Sequence, residues 1–226
     1  MLRFPRHCHM MALVTLFLIL MTANVYCGLT EGESAFEKSD YKAAYQEFKP
    51  LADGGDATAQ CFLGYMYEQG LGVGKDHLEA VKWWRMAAQG GNADAQFNLG
   101  VVYSEGLGVP RDYAEAAKWT RMAAEQGHAK AQYNMGMDYL DGRGVSSDYT
   151  EVAKWFRKAA DQGHAKAQYN LGVMYRNGWG VPRDYAEAEK WTRKAAEQGH
   201  TQAQYSLGVM YQNGSGARQD HAEVSE

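Results

Sequence analysis

Apolar and small residues along this chain follow a helical spacing that is interrupted and restarted at a fixed interval. Ala95, Leu99 and Tyr103 fall at i, i+4 and i+8, one stripe of a helix. Gly100 lies in the middle of that helix, where glycine costs about 1 kcal/mol relative to alanine. Its recurrence at Gly64, Gly136, Gly172 and Gly208 predicts a close helix–helix approach that needs the missing side chain. Gly106 then stops the helix, because glycine takes a left-handed conformation without steric cost. A second helix follows. Asp112 is placed to cap it and Glu115 completes a capping-box pattern, repeated at Asp76/Glu79, Asp148/Glu151, Asp184/Glu187 and Asp220/Glu223. Its inner stripe is Ala116, Trp119, Ala123 and Ala124, with the indole expected to fill the space that the alanines and the glycine leave open. On the outer face Glu115 is expected to pair with Lys118 at i+3 and Arg121 with Glu125 at i+4, each worth roughly 0.2–0.5 kcal/mol.

This helix pair recurs. Trp83, Trp119, Trp155 and Trp191 stand 36 residues apart, and most of their neighbours recur with them. A period of that length marks a stacked repeat architecture. The units run 57–92, 93–128, 129–164 and 165–200, with a shorter fifth at 201–226. Between the helices lies a loop such as Ser104 to Arg111, with Val109 expected to turn inward as its anchor. Residues 28–56 are expected to form an N-terminal capping half repeat. Asp40 to Asp56 aligns there without a gap with Asp112 to His128, and Glu47 stands at the tryptophan position.

The 226 residues are 46% hydrophobic, enough for a core. A repeat stack buries that surface between neighbours, so its stability is a sum of unit and interface terms. Residues 1–27 have a different character. Arg3 and Arg6 precede an uncharged apolar run from Met10 to Met21, the outline of a secretory signal peptide, with cleavage after Ala23 or Cys27. The mature chain is therefore expected to be secreted or periplasmic, and the run is short for a membrane span. Lipid anchoring at Cys27 is disfavoured by the bulky Tyr26 immediately before it. No second apolar segment reaches spanning length, so no membrane span is expected in the mature chain. Removing the leader takes away two arginines and no acid, which moves the net charge from −4 to −6 and argues against nucleic acid as a partner. Of Cys8, Cys27 and Cys61 only Cys61 lies within the repeats, so no internal disulfide is available to them. Cys61 replaces the aromatic residues Phe97, Tyr133, Tyr169 and Tyr205 of the other units.

The shared pattern L-G-x-x-Y, G-x-G-V and A-A-x-x-G-H, carried by nearly every unit from residue 57 onward, resembles the Sel-one-like repeat family, relatives of the tetratricopeptide repeat. Departures are Met135 for leucine, Val152 for alanine, Arg143 and Trp179 in the loops, and Ala217 for valine. The resemblance implies an all-α fold, a right-handed α-solenoid of stacked antiparallel helix pairs. It also implies a bacterial, exported, non-catalytic scaffold that assembles protein complexes. Some family members resemble β-lactam- or cell-wall-related hydrolases, but those carry cysteine pairs that this chain lacks.

Little in the chain points to catalysis or to a cofactor. His128, His164 and His200 recur, but equivalent side chains of stacked units stand about one helix diameter, ~10 Å, apart, too far to share a metal. They are expected to be helix-end residues near a negative dipole end that favours a cation. The lone S-x-x-K, Ser39 to Lys42, lacks the S-D-N and K-T-G partners of a serine acyl-transfer site. No phosphate-binding loop or H-E-x-x-H appears. No catalytic, cofactor or metal residue is therefore assigned.

Binding residues are sought by subtracting the repeat. By analogy with tetratricopeptide repeats, the first helices line the concave face, where Asn98, Asn134 and Asn170 make an amide ladder beside Tyr133, Tyr169 and Tyr205. Asparagine both donates and accepts, which suits an extended protein or peptide partner; the same amides could equally bond between neighbouring helices. Two departures confined to one unit stand out. Trp179 occupies a loop position held elsewhere by Leu71, Leu107, Arg143 and Ser215, and an exposed tryptophan is a typical interface anchor. Asp138 replaces Met66, Val102, Met174 and Met210, and is expected to face water at a local bend or to meet a cationic partner group. The fifth unit stops one residue short of its tryptophan, so its first helix is expected to offer an uncapped face for another protein or a second copy. Light scattering on the mature protein should then show association. A strict monomer at high concentration would count against it.

Overall fold

The structure, a computed structural model, describes residues 28–212; the expected leader and the end of the fifth unit lie outside the described residues. Those residues form eleven helices and no strand. They are α1 (28–37), α2 (Tyr41–Asp53), α3 (Ala57–Gln69), α4 (His77–Gln89), α5 (Ala93–Glu105), α6 (Tyr113–Glu125), α7 (Ala129–Asp141), α8 (Tyr149–Asp161), α9 (Ala165–Asn177), α10 (Tyr185–Glu197) and α11 (Thr201–Gln212). The chain divides into two compact units, Met1–Ala95 and Gln96–Glu226. In the first, α2 packs on α3 and α3 on α4; in the second, α6 to α11 each pack on the next. Helices stacked in chain order make this an all-α solenoid.

Capping aspartates set where each second helix begins. Asp112 Oδ1 accepts from the backbone N–H groups of Ala114 and Glu115 at 2.9 and 3.0 Å, Asp76 and Asp148 act in the same way, and Asp184 accepts from the Glu187 N–H at 2.9 Å. The reciprocal half of the capping box is not made. The N–H groups of Asp76, Asp112 and Asp184 donate instead to the carbonyls of Tyr67, Tyr103 and Tyr175 at 2.9, 2.9 and 3.0 Å, which pins the loop shut. The glutamates thus remain free to hold lysines at i+3, as Glu115 holds Lys118 at 3.1 Å. Arg121 departs from the expected pairing with Glu125. Its guanidinium donates to the Tyr139 hydroxyl at 2.8 Å, and Arg157 donates likewise to Tyr175, so these cations tie one repeat to the next.

The mid-helix glycines mark close approaches, but the indole does not fill them as expected. A Cβ on Gly64 would lie 2.4 Å from Trp84, on Gly100 2.3 Å from Thr120, on Gly136 2.5 Å from Phe156 and on Gly172 2.6 Å from Thr192. Each of these is the residue after the recurring tryptophan. At positions 155 and 191 the tryptophan itself turns about 100° away around the helix and meets the preceding repeat. Trp155 packs with Ala123, Ala124, Ala131 and Met135, and Trp191 lies in a core with Ala159, Ala160, Ala167 and Leu171. One position locks a pair internally; its neighbour locks pair to pair.

The N-terminal segment shows the same lock. A Cβ on Gly32 of α1 would lie 2.5 Å from the Phe48 ring of α2. Gly32 and Phe48 are 16 residues apart where the later units use 20, because only residues 38–40 join α1 to α2. Residues 28–56 therefore hold a helix pair with a shortened loop, and Phe36 of α1 packs its ring 5.3 Å from Phe62.

The loops carry a second close contact. Gly180 has φ 67° and a Cβ there would fall 2.0 Å from the Tyr149 carbonyl oxygen, at the first turn of α8; Gly144 meets the Tyr113 carbonyl in the same way. Each loop is thereby seated on the second helix of the preceding repeat. Between repeats runs a buried glutamine ladder. Gln132 donates to the Ala124 carbonyl at 3.1 Å and accepts from Gln162 at 2.7 Å; Gln168 does the same with Ala160 and Gln198.

Gly136→Ala should destabilise the protein by about 1–3 kcal/mol through overpacking against Phe156. Gly208→Ala, where an added Cβ meets nothing within 4 Å, should instead be neutral or gain up to about 1 kcal/mol of helix propensity. Thermal melts of the two variants test this contrast.

Candidate protein-binding site

The histidines show how the joints between repeats are built. His128, His164 and His200 each close one repeat, but their side chains serve the next helix. His128 Nδ1 accepts from the Ala131 N–H at 3.0 Å, His164 Nδ1 from Ala167 at 3.3 Å and His200 Nδ1 from Ala203 at 3.3 Å. Asp56 and Asn92 fill the same repeat position and cap α3 and α5 in the same way, at 2.8 and 2.9 Å. The expectation of a cation at a negative helix end is therefore corrected: these rings sit at the positive end and must present a bare nitrogen. Each ring also stacks on an aromatic side chain, His128 on Phe97 at 4.7 Å, His164 on Tyr133 at 4.7 Å and His200 on Tyr169 at 5.0 Å. At His164 that stacking would favour an imidazolium by roughly 0.5–1 kcal/mol. Losing the cap, about 1 kcal/mol, and placing a cation on the helix dipole, about 0.3–1 kcal/mol, outweigh it. Burial, with Lys166 and Lys130 adding to it and a backbone hydrogen bond opposing it, holds His164 below the ordinary imidazole value.

A cleft of about 370 Å³ opens among α7, α8 and α9, in the range of small ligand pockets. Its floor is Met137 and Leu140 of α7, Val152 and Phe156 of α8, and Val173 and Met174 of α9; Tyr133, Tyr149, Asn170 and Trp179 complete it. No charged side chain lines it. Trp179 is 47% exposed and leans on Tyr149, itself 47% exposed, with ring centres 5.9 Å apart. Its backbone is held on both sides. The Trp179 N–H donates to the Met174 carbonyl at 3.0 Å, and Gly180 is seated on α8. The indole is thus presented from a fixed loop.

The amide ladder is divided in use. Asn170 meets Tyr133 of the preceding repeat in the cleft, and the Tyr169 hydroxyl pairs with that of Ser206 at 3.5 Å. Asn134 stands opposite Phe97 in this register, a ring with no hydroxyl to offer. Asn98 and Asn134 are half-buried, and Tyr205 is 76% exposed. Of the sequence-derived candidates, Tyr133, Asn170 and Trp179 come together in the cleft. Tyr149, Met137 and Val173 were not singled out, because each occupies a position that the period assigns to the fold.

Asp138 lies in an unbroken α7 with its side chain 17% exposed, so neither a bend nor open water surrounds it. Burial pushes its carboxyl up to about 6, Arg143 at 3.9 Å opposing the rise and Asp141 adding to it. A second, larger hollow of about 780 Å³ beside α8 is lined by Arg121, Lys154 and Lys158 against Glu125, Asp148 and Glu151. That balance favours neither an anion nor a cation. Ser39 sits in a turn at φ 61°, its hydroxyl accepting from Tyr41 at 3.4 Å. Among the described residues no cluster of histidine, cysteine or acidic side chains could hold a metal ion, and no helix is long and apolar enough to cross a membrane.

Stacked helix pairs of this period, with glycine-seated loops between them, define a helical-repeat protein of the α-solenoid class. The model of the Sel1 repeat matches residues 57–92, 93–128, 129–164, 165–200 and 201–223, and the chain belongs to the Sel1 repeat family. Repeats of this family generally serve as protein-interaction scaffolds. The chain is 37% identical to a Sel1 repeat protein from Oxalobacter formigenes, with a TM-score of 0.76 over 80% of this chain and 74% of that one. It is 38% identical to c5321, a protective antigen of uropathogenic Escherichia coli strains displaying an SLR fold, with a TM-score of 0.79 over 87% of this chain. The match spans 42% of the length of that antigen. No curated protein matches the chain.

Asp138→Met should raise stability near neutral pH by about 1–3 kcal/mol, through burial of an apolar side chain where other repeats bury methionine or valine. A carboxyl raised in the folded state costs stability above about pH 6 and relieves that cost as pH falls towards the unfolded value near 4. The advantage of the methionine should therefore shrink on acidification, as melts across that range would show.

Proposed function

We propose that the protein is an exported, non-catalytic interaction scaffold that binds a protein or peptide at the α7–α8–α9 cleft, with Trp179 as its anchor. The leader pattern of residues 1–27 supports export. The observation that carries the binding reading is the Trp179–Tyr149 pair. Two large rings remain half exposed above an uncharged apolar cleft, although the loop that bears one of them is held at both ends. A tryptophan in such a setting offers a large contact area at small entropic cost. Tyr133 and Asn170 place polar atoms at the same cleft, where a peptide backbone could find a donor or an acceptor.

A photoreactive residue at position 179 should crosslink a partner that the same residue at Leu71, the equivalent loop position, does not capture. With that partner purified, Trp179→Ala should weaken binding about thirtyfold or more, a hot-spot loss of about 2 kcal/mol. The melting temperature should hardly move, because the indole is exposed. Equal crosslinking at both positions, or unchanged affinity, would remove the cleft from consideration.

A further inference from the structure

We propose that His164 is an acid-sensitive latch on the α7–α8–α9 cleft: its neutral ring caps α9 and braces Tyr133, and protonation releases both. The inference rests on the reading of that cleft as a binding site, and it adds a condition under which the site changes. Two contacts converge on one imidazole, and a third fixes its backbone. Nδ1 accepts from the Ala167 N–H at 3.3 Å, the ring face stacks on Tyr133 at 4.7 Å, and the His164 backbone N–H donates to the Ala159 carbonyl at 3.1 Å. Tyr133 and the α9 residues Asn170, Val173 and Met174 all line the cleft, so the cap and the brace both act on its walls.

Protonation turns Nδ1 from acceptor into donor, so the contact with the Ala167 N–H becomes donor against donor. It also places a positive charge at the positive end of the α9 dipole. Two neighbouring lysines oppose the cation as well, against a backbone hydrogen bond that favours it. Lys130 on α7 and Lys166 on α9 both disfavour it, and Tyr133 is the titratable group that the ring covers. The last turn of α8 contributes Asp161, an exposed acid three residues before the ring in sequence. A histidine held neutral by folding supplies stability above the ordinary imidazole value and loses it as pH falls below that value. Asp56 and Asn92 make the same cap without an imidazole, so the joints at α3 and α5 lack this response while the joint at α9 carries it.

Hydrogen exchange on the mature protein tests the latch. Protection of the Ala167 amide, corrected for intrinsic exchange, should fall about fivefold between about pH 7.5 and pH 5.5, the equivalent of one lost cap. His164→Asn, which copies the cap at Asn92, should abolish the fall. Asp138→Asn, which removes the raised carboxyl of α7, should leave it intact. A flat wild-type profile, an unchanged fall in His164→Asn, or its loss in Asp138→Asn would each overturn the proposal. A second arm uses the dye 1-anilinonaphthalene-8-sulfonate as an apolar probe. Its fluorescence should change on acidification in the wild type and not in His164→Asn; equal changes in both would overturn the link to the cleft. Dye binding unaffected by Trp179→Ala would instead sink the cleft reading alone, since the exchange arm reads the cap without it.

Discussion

The architecture depends on a contact with no room for a side chain. In each complete repeat a glycine midway along the first helix meets the residue 20 positions later on the second, and an added Cβ would fall within about 2.6 Å of it. Glycine inside a helix costs about 1 kcal/mol. Burying a ring such as Trp84 or Phe156 against it returns about 1.5–3 kcal/mol, so the approach is favourable despite the local cost. The loop must then be long enough to bring the two positions together. Seven residues separate the helices in the later repeats and three suffice between α1 and α2, where the spacing contracts from 20 to 16.

Joining one pair to the next uses a different set of residues. Trp155 and Trp191 wedge against alanines of the preceding repeat, and the glutamine ladder adds a side-chain donor to the helix-end carbonyls of Ala124 and Ala160, which Gly127 and Gly163 also serve. Each such hydrogen bond contributes only about 1 kcal/mol net, but leaving the buried amides of Gln132 and Gln168 unpaired would cost more. The ladder therefore specifies register more than it adds stability. The cleft is a local variation on this scheme. Loop and helix are seated as in the neighbouring repeats, but Trp179 replaces a leucine, arginine or serine of the other loops and, with the recurring Tyr149, leaves aromatic surface outside.

The regular parts were legible because they depend on short sequence distances. Helix spacing, Asp112 as a cap, Gly106 as a stop and the glutamate–lysine pairs all follow from residues within one turn of each other. Trp179 was legible for the opposite reason, since it breaks the period. The histidines were not, because the joint between helices is so short that the same residue ends one helix and begins another. Asp56 and Asn92 at the equivalent position held the missing clue: both are strong N-caps and poor companions for a negative helix end. Gly32 likewise stood 16 residues before Phe48, hidden by the contracted loop.

By itself the sequence determined the period, the two helices per repeat, their ends and the family to which the chain belongs, since each is written in local spacing or in identity from unit to unit. Tertiary structure alone decided which of two adjacent residues faces the partner helix and which faces the next repeat. It also decided that Arg121 leaves Glu125 for Tyr139, and that Tyr133, Asn170 and Trp179 share one cleft. The physical reason is angular. One step along a helix turns a side chain by about 100°, so the choice of partner rests on how whole helices rotate against each other, a quantity that no spacing along the chain records.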